Sequence, residues 1–209
     1  MKLKWNGHSC FTLTFANGTT FVTDPFDDTV GYPLCTVRAD AALTSHSHFD
    51  HNHVQSLTGT PKVFDEPGEY ELNGVRITGV ASFHDPEQGA LRGRNVIFIV
   101  EGDGMKIVHL GDLGHMPDET QFEAIKGADI LLLPIGGTYT ITTEQAAELI
   151  AQAKPRAAVA MHFQNEYCKF PITDEKEFVR LTGAERMPNE INITSDAALP
   201  AAIVMEYKA

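Results

Sequence analysis

The 209-residue chain is predicted to form an α/β fold in one domain, residues 1–209. In its first half, short runs of alternating apolar and polar residues have the pattern of half-buried strands. Its second half alternates helix-capping signals with short apolar runs, which predicts helices and strands in turn. Histidine and aspartate residues follow several predicted strands, and α/β proteins build their sites from side chains at such strand ends.

Composition and charge narrow the classes of function. The chain is 43% hydrophobic and 21% charged, and 28 acidic against 16 basic residues give a net charge of −12. Nucleic acids and anionic membranes are bound by clustered lysine and arginine, and the sequence contains no such cluster. No window approaches the ~20 apolar residues of a membrane span. We therefore expect no nucleic-acid partner and no membrane partner.

The cysteines and the N-terminus predict a cytoplasmic location. Cys10, Cys35 and Cys168 are an odd number without a Cys-x-x-Cys motif, which argues against a disulfide framework and against a cysteine zinc site. Free thiols in a reducing compartment are the expected state. Residues 1–8 lack the apolar core of a secretory signal.

Three hairpins are predicted in the first half. Asn17-Gly18 and Asn73-Gly74 each separate two strand-like runs, and Asn-Gly is favoured where both turn residues need a positive φ. Residues 102–104 mark the third turn. The paired runs are 11–15 with 20–23, 69–72 with 75–81, and 95–101 with 105–110.

The remaining elements are shorter or isolated. Further strands are predicted at 39–44, 61–64, 130–133, 157–161, 191–194 and 202–207. Helices are predicted at 54–57, 118–126, 142–153 and 173–179, with Thr142 as part of a capping box and Thr173 as a cap. The polar, glycine-rich segment 85–94 predicts a mobile loop.

One stretch carries most of the chemistry. Residues 46–52 contain three histidines and an aspartate directly after a predicted strand. The spacing of His46 and His48 places both rings on one side of an extended segment, and Asp50 and His51 follow where the chain turns. One loop could thus supply ligands to two adjacent ions, and these donors suit Zn²⁺, Mn²⁺ or Fe²⁺. The alternative is a polar surface loop with a chance run of histidines.

Three more candidate ligands follow later strands. His84, Asp112 and His162 each come just after a predicted strand. Taken singly, His162 could instead be a core histidine, and Asp112 could instead be a helix cap. Their common position at strand ends predicts that they meet the histidine loop at one edge of a sheet.

These residues also carry a family resemblance. The pattern His46-x-His48-x-Asp50-His51, followed by His84, Asp112 and His162, resembles the metallo-β-lactamase-fold hydrolase superfamily. Other segments are similar to its UPF0173-type and ascorbate-phosphate lactonase-like branch: Trp5-Asn-Gly-His8-Ser, Asp24-Pro25, Leu110-Gly-Asp112 and Gly136-Gly-Thr-Tyr139-Thr. The resemblance implies a four-layer αββα sandwich with the metal site at one edge of its two sheets.

The resemblance also implies a ligand set. His46, His48 and His84 would hold one divalent ion, most simply Zn²⁺ with Mn²⁺ and Fe²⁺ as alternatives. Asp50, His51 and His162 would hold a second ion, and Asp112 would bridge both. A pair of such ions lowers the pKa of a shared water toward ~7, and Asp50 would also orient the resulting hydroxide.

The function predicted is a dinuclear metal-dependent hydrolase. A metal-bridging hydroxide would cleave a small anionic or cyclic substrate, either a phosphodiester or a lactone or other ester. The alternative is a metal-loaded binding or regulatory protein of the same fold that does not catalyse. A small-molecule substrate is the expected partner, and the sequence leaves the oligomeric state open.

Six further residues are candidates for supporting roles, and four of them have a plainer alternative. Asp24 is a candidate to orient a metal-bound imidazole, or is a turn-forming aspartate. His8 is a candidate to bond site residues or substrate. His115 is a candidate proton donor for the leaving group, or a surface histidine. The remaining candidates are Tyr139, for a substrate oxygen, and Arg92 and Arg94, for a phosphate or carboxylate unless they are solvated loop charges.

Overall fold

A computed structural model describes residues 1–208 of the protein, and its strands form two mixed sheets. The strands of the first sheet are β1 Lys2–Gly7, β2 Cys10–Thr14, β3 Thr20–Thr23, β4 Ala41–Leu43, β5 Lys62–Phe64 and β13 Glu190–Asn192. Their order is β13-β1-β2-β3-β4-β5. Neighbours from β13 to β3 are antiparallel, whereas β3, β4 and β5 are parallel.

The second sheet has eight strands. They are β6 Gly68–Leu72, β7 Val75–Phe83, β8 Arg94–Gly102, β9 Met105–His109, β10 Ile130–Pro134, β11 Ala157–Met161, β12 Glu185–Pro188 and β14 Ala202–Glu206. Their order is β12-β14-β11-β10-β9-β8-β7-β6. The strands from β12 to β9 are parallel, and those from β9 to β6 are antiparallel.

A shared apolar core joins the two sheets. Phe11 and Phe21 from the first sheet and Phe98 and Ile107 from the second are almost fully buried in one continuous cluster. Each such side chain contributes about 1.5–3 kcal/mol of transfer free energy. The two mixed sheets and the sparse helices are those of the predicted sandwich. The prediction of a single domain stays a prediction.

The helices are short. Residues 1–208 contain three α-helices, α1 Glu119–Ile125, α2 Thr143–Ala153 and α3 Lys176–Thr182. The capping box predicted at Thr142 is present, with Gln145 as its partner. Thr173 does not cap α3. Its hydroxyl instead donates to Ile135 O at 3.0 Å, and the helix begins at Lys176 with Glu175 as its N-cap.

The hairpin at Asn73-Gly74 forms as predicted. Asn73 has φ 53° and Gly74 has φ 78°, the positive values that the shortest hairpin turns require. Two strands have no predicted counterpart. β1 lies directly at the N-terminus. β12 is largely exposed, so its sequence lacks the apolar face from which a strand is predicted.

The segment after β7 is tied down by one carboxylate. Asp85 is fully buried and accepts four backbone hydrogen bonds, from Glu87, Gly89, Leu91 and Arg92, at 2.7 to 3.1 Å. These bonds hold the pKa of Asp85 below its usual value against the opposing effect of burial. The segment is therefore not the unrestrained loop that its composition predicted.

Two further predictions can be compared with the structure. The three cysteines are free and buried, as predicted. Across residues 1–208, none of the helices combines the length and apolar character needed to cross a membrane.

Candidate metal centre

Asp24 fixes the start of the histidine loop. It follows β3, and its carboxylate accepts hydrogen bonds from the N–H and the Oγ of Ser45, both at 2.7 Å. The N–H of Asp24 donates to Leu43 O at 2.9 Å. Because β3 and β4 are parallel neighbours, their carboxyl ends lie side by side, and the loop leaves the sheet in a fixed direction.

Six of the seven predicted ligands form two adjoining groups. The ring nitrogens of one group lie within 4.8 Å of one another, and its members are His46, His48 and His84. The second group meets the same limit and consists of Asp50, His51, His162 and, in addition, His8. As predicted, the six predicted ligands follow the ends of β4, β7 and β11 and meet at one edge of the sandwich, whereas His8 comes from the turn between β1 and β2.

Asp112 lies between the two groups. Its Oδ2 is 3.3 Å from Nε2 of His84, 3.3 Å from Nε2 of His51 and 3.1 Å from Nε2 of His162. Oδ1 of Asp112 and Nε2 of His51 are buried without a hydrogen-bond partner. Polar atoms that converge this closely without hydrogen bonds, in a buried site, have the arrangement of ligands around a cation.

The turn that carries Asp112 is held by two buried side chains. Asn95 accepts the N–H of Asp112 at 2.9 Å through Oδ1, and its Nδ2 donates to Leu110 O at 2.9 Å. Nδ1 of His109 accepts the N–H of Gly111 at 3.1 Å, so that its Nε2–H donates to Ser9 O at 2.9 Å. These bonds hold the carboxylate of Asp112 in place.

Gly111 itself has a left-handed backbone, with φ 55°. A Cβ at this position would collide with Oδ1 of Asn95 and with Cβ of Ser45. Only glycine therefore fits the turn between β9 and Asp112.

The tautomer of His51 is set by Asp24. Nδ1 of His51 lies 2.8 Å from Oδ2 of Asp24. Since the carboxylate can only accept, Nδ1 carries a hydrogen, which leaves Nε2, on the side of Asp50 and Asp112, as the nitrogen that could bind a cation in place of its proton. This is the carboxylate–imidazole pair that commonly supports a metal ligand.

The electrostatics of the centre favour positive charge. Burial alone would lower the pKa of His51, but the carboxylates of Asp112, Asp50 and Asp24 hold that pKa well above its ordinary value. Burial alone would raise the pKa of Asp112, yet His162 and His51 hold it well below its usual range. A divalent cation would experience the same negative potential.

Burial keeps other imidazoles of the centre neutral. It lowers the pKa of His8 to about 4, lowers that of His84, and brings that of His46 well below the ordinary value. Neutral imidazole is the form that binds metal.

A cavity of about 330 Å³ opens onto the two groups. Beside the candidate ligands, its walls are mainly apolar and include Phe49, Tyr139, Phe170 and Pro171. Arg92 is its one cationic wall residue, and the guanidinium Cζ lies 5.6 Å from the centre of the Tyr139 ring. The arrangement suits a small molecule with an apolar part and an anionic group.

A second cavity, of about 640 Å³, adjoins the first through His48 and Arg92. Its walls are more polar and include Arg94, Asp65 and Glu66. Arg94 lines this second cavity and not the smaller one.

His115 lies apart from the centre. Its Nδ1 donates to Met116 O at 2.8 Å, which leaves Nε2 to accept the N–H of Phe83 at 3.3 Å. Both ring nitrogens are thus engaged by the backbone. The proton-donor role predicted for His115 has no support in this geometry, because its side chain serves to hold the end of β7.

Comparisons with known proteins agree with this geometry. Residues 2–162 match the sequence profile of the β-lactamase superfamily domain. The chain belongs to the β-lactamase superfamily. A structure from Thermotoga maritima, assigned to the Zn-dependent hydrolases of the metallo-β-lactamase superfamily, has a TM-score of 0.82 and 36% identity, and covers 99% of this chain and 100% of its own.

Two relatives of this superfamily member share the designation UPF0173. A UPF0173 protein from Pyrococcus furiosus is 30% identical over 206 residues, which span 85% of this chain and 89% of the relative. A UPF0173 metal-dependent hydrolase from Thermoplasma volcanium is 29% identical over 190 residues, which span 78% and 83%. The predicted fold and the predicted class of metal-dependent hydrolase are confirmed at the level of the family.

The sequence missed several residues that shape this β-lactamase superfamily site. Asn95 and His109 lie within predicted strands, and the sequence assigns neither of them a role in the site. His109 is buried, and both of its nitrogens bond the backbone around the site. The signal in the sequence was a polar residue within an otherwise apolar strand. Burying such a residue is costly unless its polar atoms are hydrogen-bonded.

Proposed function

We propose that the protein is a dinuclear metal-dependent hydrolase that cleaves a small anionic or cyclic substrate, either a phosphodiester or a lactone or other ester. The observation that carries this proposal is the position of Asp112. Its Oδ2 lies within 3.3 Å of His84 from one group of ligands and of His51 and His162 from the other. A carboxylate in that position suits a bridge between two ions.

The donor sets fit two divalent cations. We assign His46, His48 and His84 to one ion, and Asp50, His51 and His162 to the other. Nitrogen donors with few carboxylates favour Zn²⁺, with Mn²⁺ and Fe²⁺ as alternatives. The buried Nε2 atoms of His46 and His51 lack any other partner, which supports a ligand role because an unpaired buried polar atom is costly.

The nucleophile and the substrate oxygen are assigned to different parts of the site. Two bound ions would lower the pKa of a shared water toward ~7 and so supply the nucleophile. Asp50, whose Oδ2 lies 3.6 Å from Nε2 of His51, is assigned to orient that nucleophile. Tyr139, in the cavity wall, is assigned to donate a hydrogen bond to an oxygen of the substrate.

Substrate recognition is assigned to the smaller cavity. Phe49 is 55% exposed at its rim and faces Phe170, with 6.3 Å between ring centroids. Together with Pro171 they form an apolar wall, and Arg92 supplies the charge for a carboxylate or phosphate. With a net charge of −12, the protein as a whole repels anions, so this local cation matters for affinity.

We also place the enzyme in the cytoplasm, as a single domain. The three cysteines are free, although disulfides form readily in oxidising compartments.

The proposal is tested by assaying hydrolysis of a phosphodiester, bis-p-nitrophenyl phosphate, and of a simple aryl ester and a lactone. We expect turnover of at least one, loss on chelation, recovery on adding Zn²⁺ or Mn²⁺, and loss in Asp112→Asn. Metal bound without any turnover would instead favour a binding or regulatory protein. A protein that takes up no metal would contradict the ligand assignments.

A further inference from the structure

His8 is the one member of the two ligand groups that is not assigned to an ion. It lies in the turn between β1 and β2, is fully buried, and has a left-handed backbone with φ 50°. A histidine in this conformation is strained, and such residues persist where the surroundings enforce them. The enforcing contacts are two hydrogen bonds to the His8 carbonyl, from Nε1 of Trp5 at 2.9 Å and from the N–H of His162 at 3.3 Å.

The ring of His8 points from this anchored turn at Asp50. Its Nε2 lies 3.3 Å from Oδ2 of Asp50. Because the carboxylate only accepts, the hydrogen must be on Nε2 of His8. The bond is buried and joins residues 42 positions apart. His48 and Phe49, just before Asp50, are exposed, so this part of the loop has little packing of its own.

His8 lies at the margin of the centre, although its ring belongs to the second ligand group. Oδ2 of Asp112, which marks the middle of the site, is contacted by His51, His84 and His162 but not by His8. The His8 ring packs behind that of His162, with 4.3 Å between centroids. His8 is also absent from the walls of the cavity that Asp50 and His162 line.

We propose that His8 is a positioning residue for Asp50. The Nε2–H of His8 donates to Oδ2 of Asp50 and so fixes the orientation of this carboxylate. The remaining lone pairs of the carboxylate would then face the second ion when it is bound. The proposal rests on the proposed function, since it requires Asp50 to be a ligand. Outer partners of metal ligands typically contribute about 10–100-fold to metal affinity or activity.

A pair of substitutions isolates the hydrogen bond. Gln carries its Nε2 as many bonds from Cβ as His does, so His8→Gln keeps a donor within reach of Asp50. His8→Leu keeps a similar volume without a donor. Neither side chain is β-branched, so both meet the left-handed backbone at a similar cost. If the Leu variant fails to fold, His8→Asn replaces it, because Asn tolerates this backbone but its amide is one bond too short.

The experiment titrates metal-free wild type and both variants with Zn²⁺ against a competing chelator, and records the absorption spectrum of the Co²⁺ forms. We expect wild type and His8→Gln to bind two ions with similar affinity and to give the same Co²⁺ spectrum. We expect His8→Leu to bind one of the two ions about 10–100-fold more weakly. The melting temperature in chelator serves to confirm folding of each protein.

The other outcomes overturn the proposal in distinguishable ways. Two ions bound by wild type and equally tightly by His8→Leu would exclude the positioning role and leave the hydrolase proposal intact. Equal losses in the Gln and Leu variants, with a changed Co²⁺ spectrum in His8→Gln, would make His8 a ligand. A wild-type protein that binds no metal would overturn the positioning role together with the hydrolase proposal.

Discussion

Asp24 and His51 form a fully buried pair, with 2.8 Å between Oδ2 of Asp24 and Nδ1 of His51. The same carboxylate also holds both the N–H and the hydroxyl of Ser45. One aspartate thus fixes the start of the histidine loop and the tautomer of a histidine within it. This pair connects the fold of β3 and β4 to the chemistry of the site.

Substituting Asp24 with Asn should weaken metal binding. An amide keeps an acceptor for the N–H of Ser45, but it places an NH₂ group against Nδ1–H of His51. His51 would then change tautomer and lose the lone pair on Nε2. We expect about a 10–100-fold loss of metal affinity and activity, measured by chelator competition.

A matched control for Asp24→Asn is Asp40→Asn. Asp40 also accepts a backbone hydrogen bond, from Thr20 at 2.9 Å. It precedes β4, whereas Asp24 follows the parallel strand β3, so the two aspartates lie at opposite ends of these strands. Asp40→Asn should bind metal like wild type. Equal metal affinity in the two variants would contradict the role assigned to Asp24.

Two histidines of the same loop should differ in their effect on metal content. His48 is exposed, so His48→Ala should change the unfolding free energy of the metal-free protein by no more than about 0.5 kcal/mol. It should nevertheless lose one of the two ions. His53→Ala, five residues later and outside both ligand groups, should retain both. Elemental analysis of the two purified variants checks this, and full metal content in His48→Ala would refute its assignment.

Gly111→Ala should destabilise the protein strongly. The added methyl group would meet Asn95 and Ser45 in addition to requiring the left-handed backbone. Gly104, with φ 71° and nothing within 4 Å of an added Cβ, is the control. We expect Gly104→Ala to cost about 1–2 kcal/mol and Gly111→Ala about 1–3 kcal/mol more, measured by urea unfolding. Similar costs would show that the contacts around Gly111 relax easily.

The buried, neutral His109 should make the protein sensitive to acid. Burial lowers its pKa below the ordinary 6.5, despite the opposing charge of Asp24. Above pH 6.5 neither state binds the proton. As the pH falls below 6.5, His109 becomes protonated in the unfolded chain but stays neutral in the folded protein. The unfolding free energy therefore decreases until the pH reaches the pKa of His109 in the folded state.

The substitution His109→Gln removes this titrating group. The decline of unfolding free energy between pH 6.5 and 5 should then be shallower than in wild type by up to about 1.4 kcal/mol per pH unit. Urea unfolding of the metal-free proteins at several pH values measures both slopes. Parallel slopes would mean that His109 is protonated equally in the folded and unfolded states.

Local patterns in the sequence predicted much of this fold. Asn73-Gly74 and the Thr142 capping box act through their own neighbours, so they can be recognised without tertiary information. Thr173 has the same type of cap signal, but its hydroxyl bonds to Ile135, 38 residues away. β12 was not predicted because its mostly exposed residues carry no apolar face.

The candidate site shows the same division. His46, His48, Asp50 and His51 share one loop, and strand ends indicated the more distant candidate ligands. The residues that support them, such as Asn95 and His109, act through hydrogen bonds to turns that only the folded chain brings near. His115 shows the converse, since its proximity to Asp112 in sequence does not bring its ring into the centre.

The most direct test of the proposed dinuclear centre is the number of metal ions per chain. Plasma mass spectrometry would be applied to protein purified without added metal or chelator, before and after reconstitution with Zn²⁺. The arrangement around Asp112 predicts two ions per chain in wild type and fewer in Asp112→Asn. A wild-type chain that holds no ion, or only one even after reconstitution, would contradict the bridging role of Asp112.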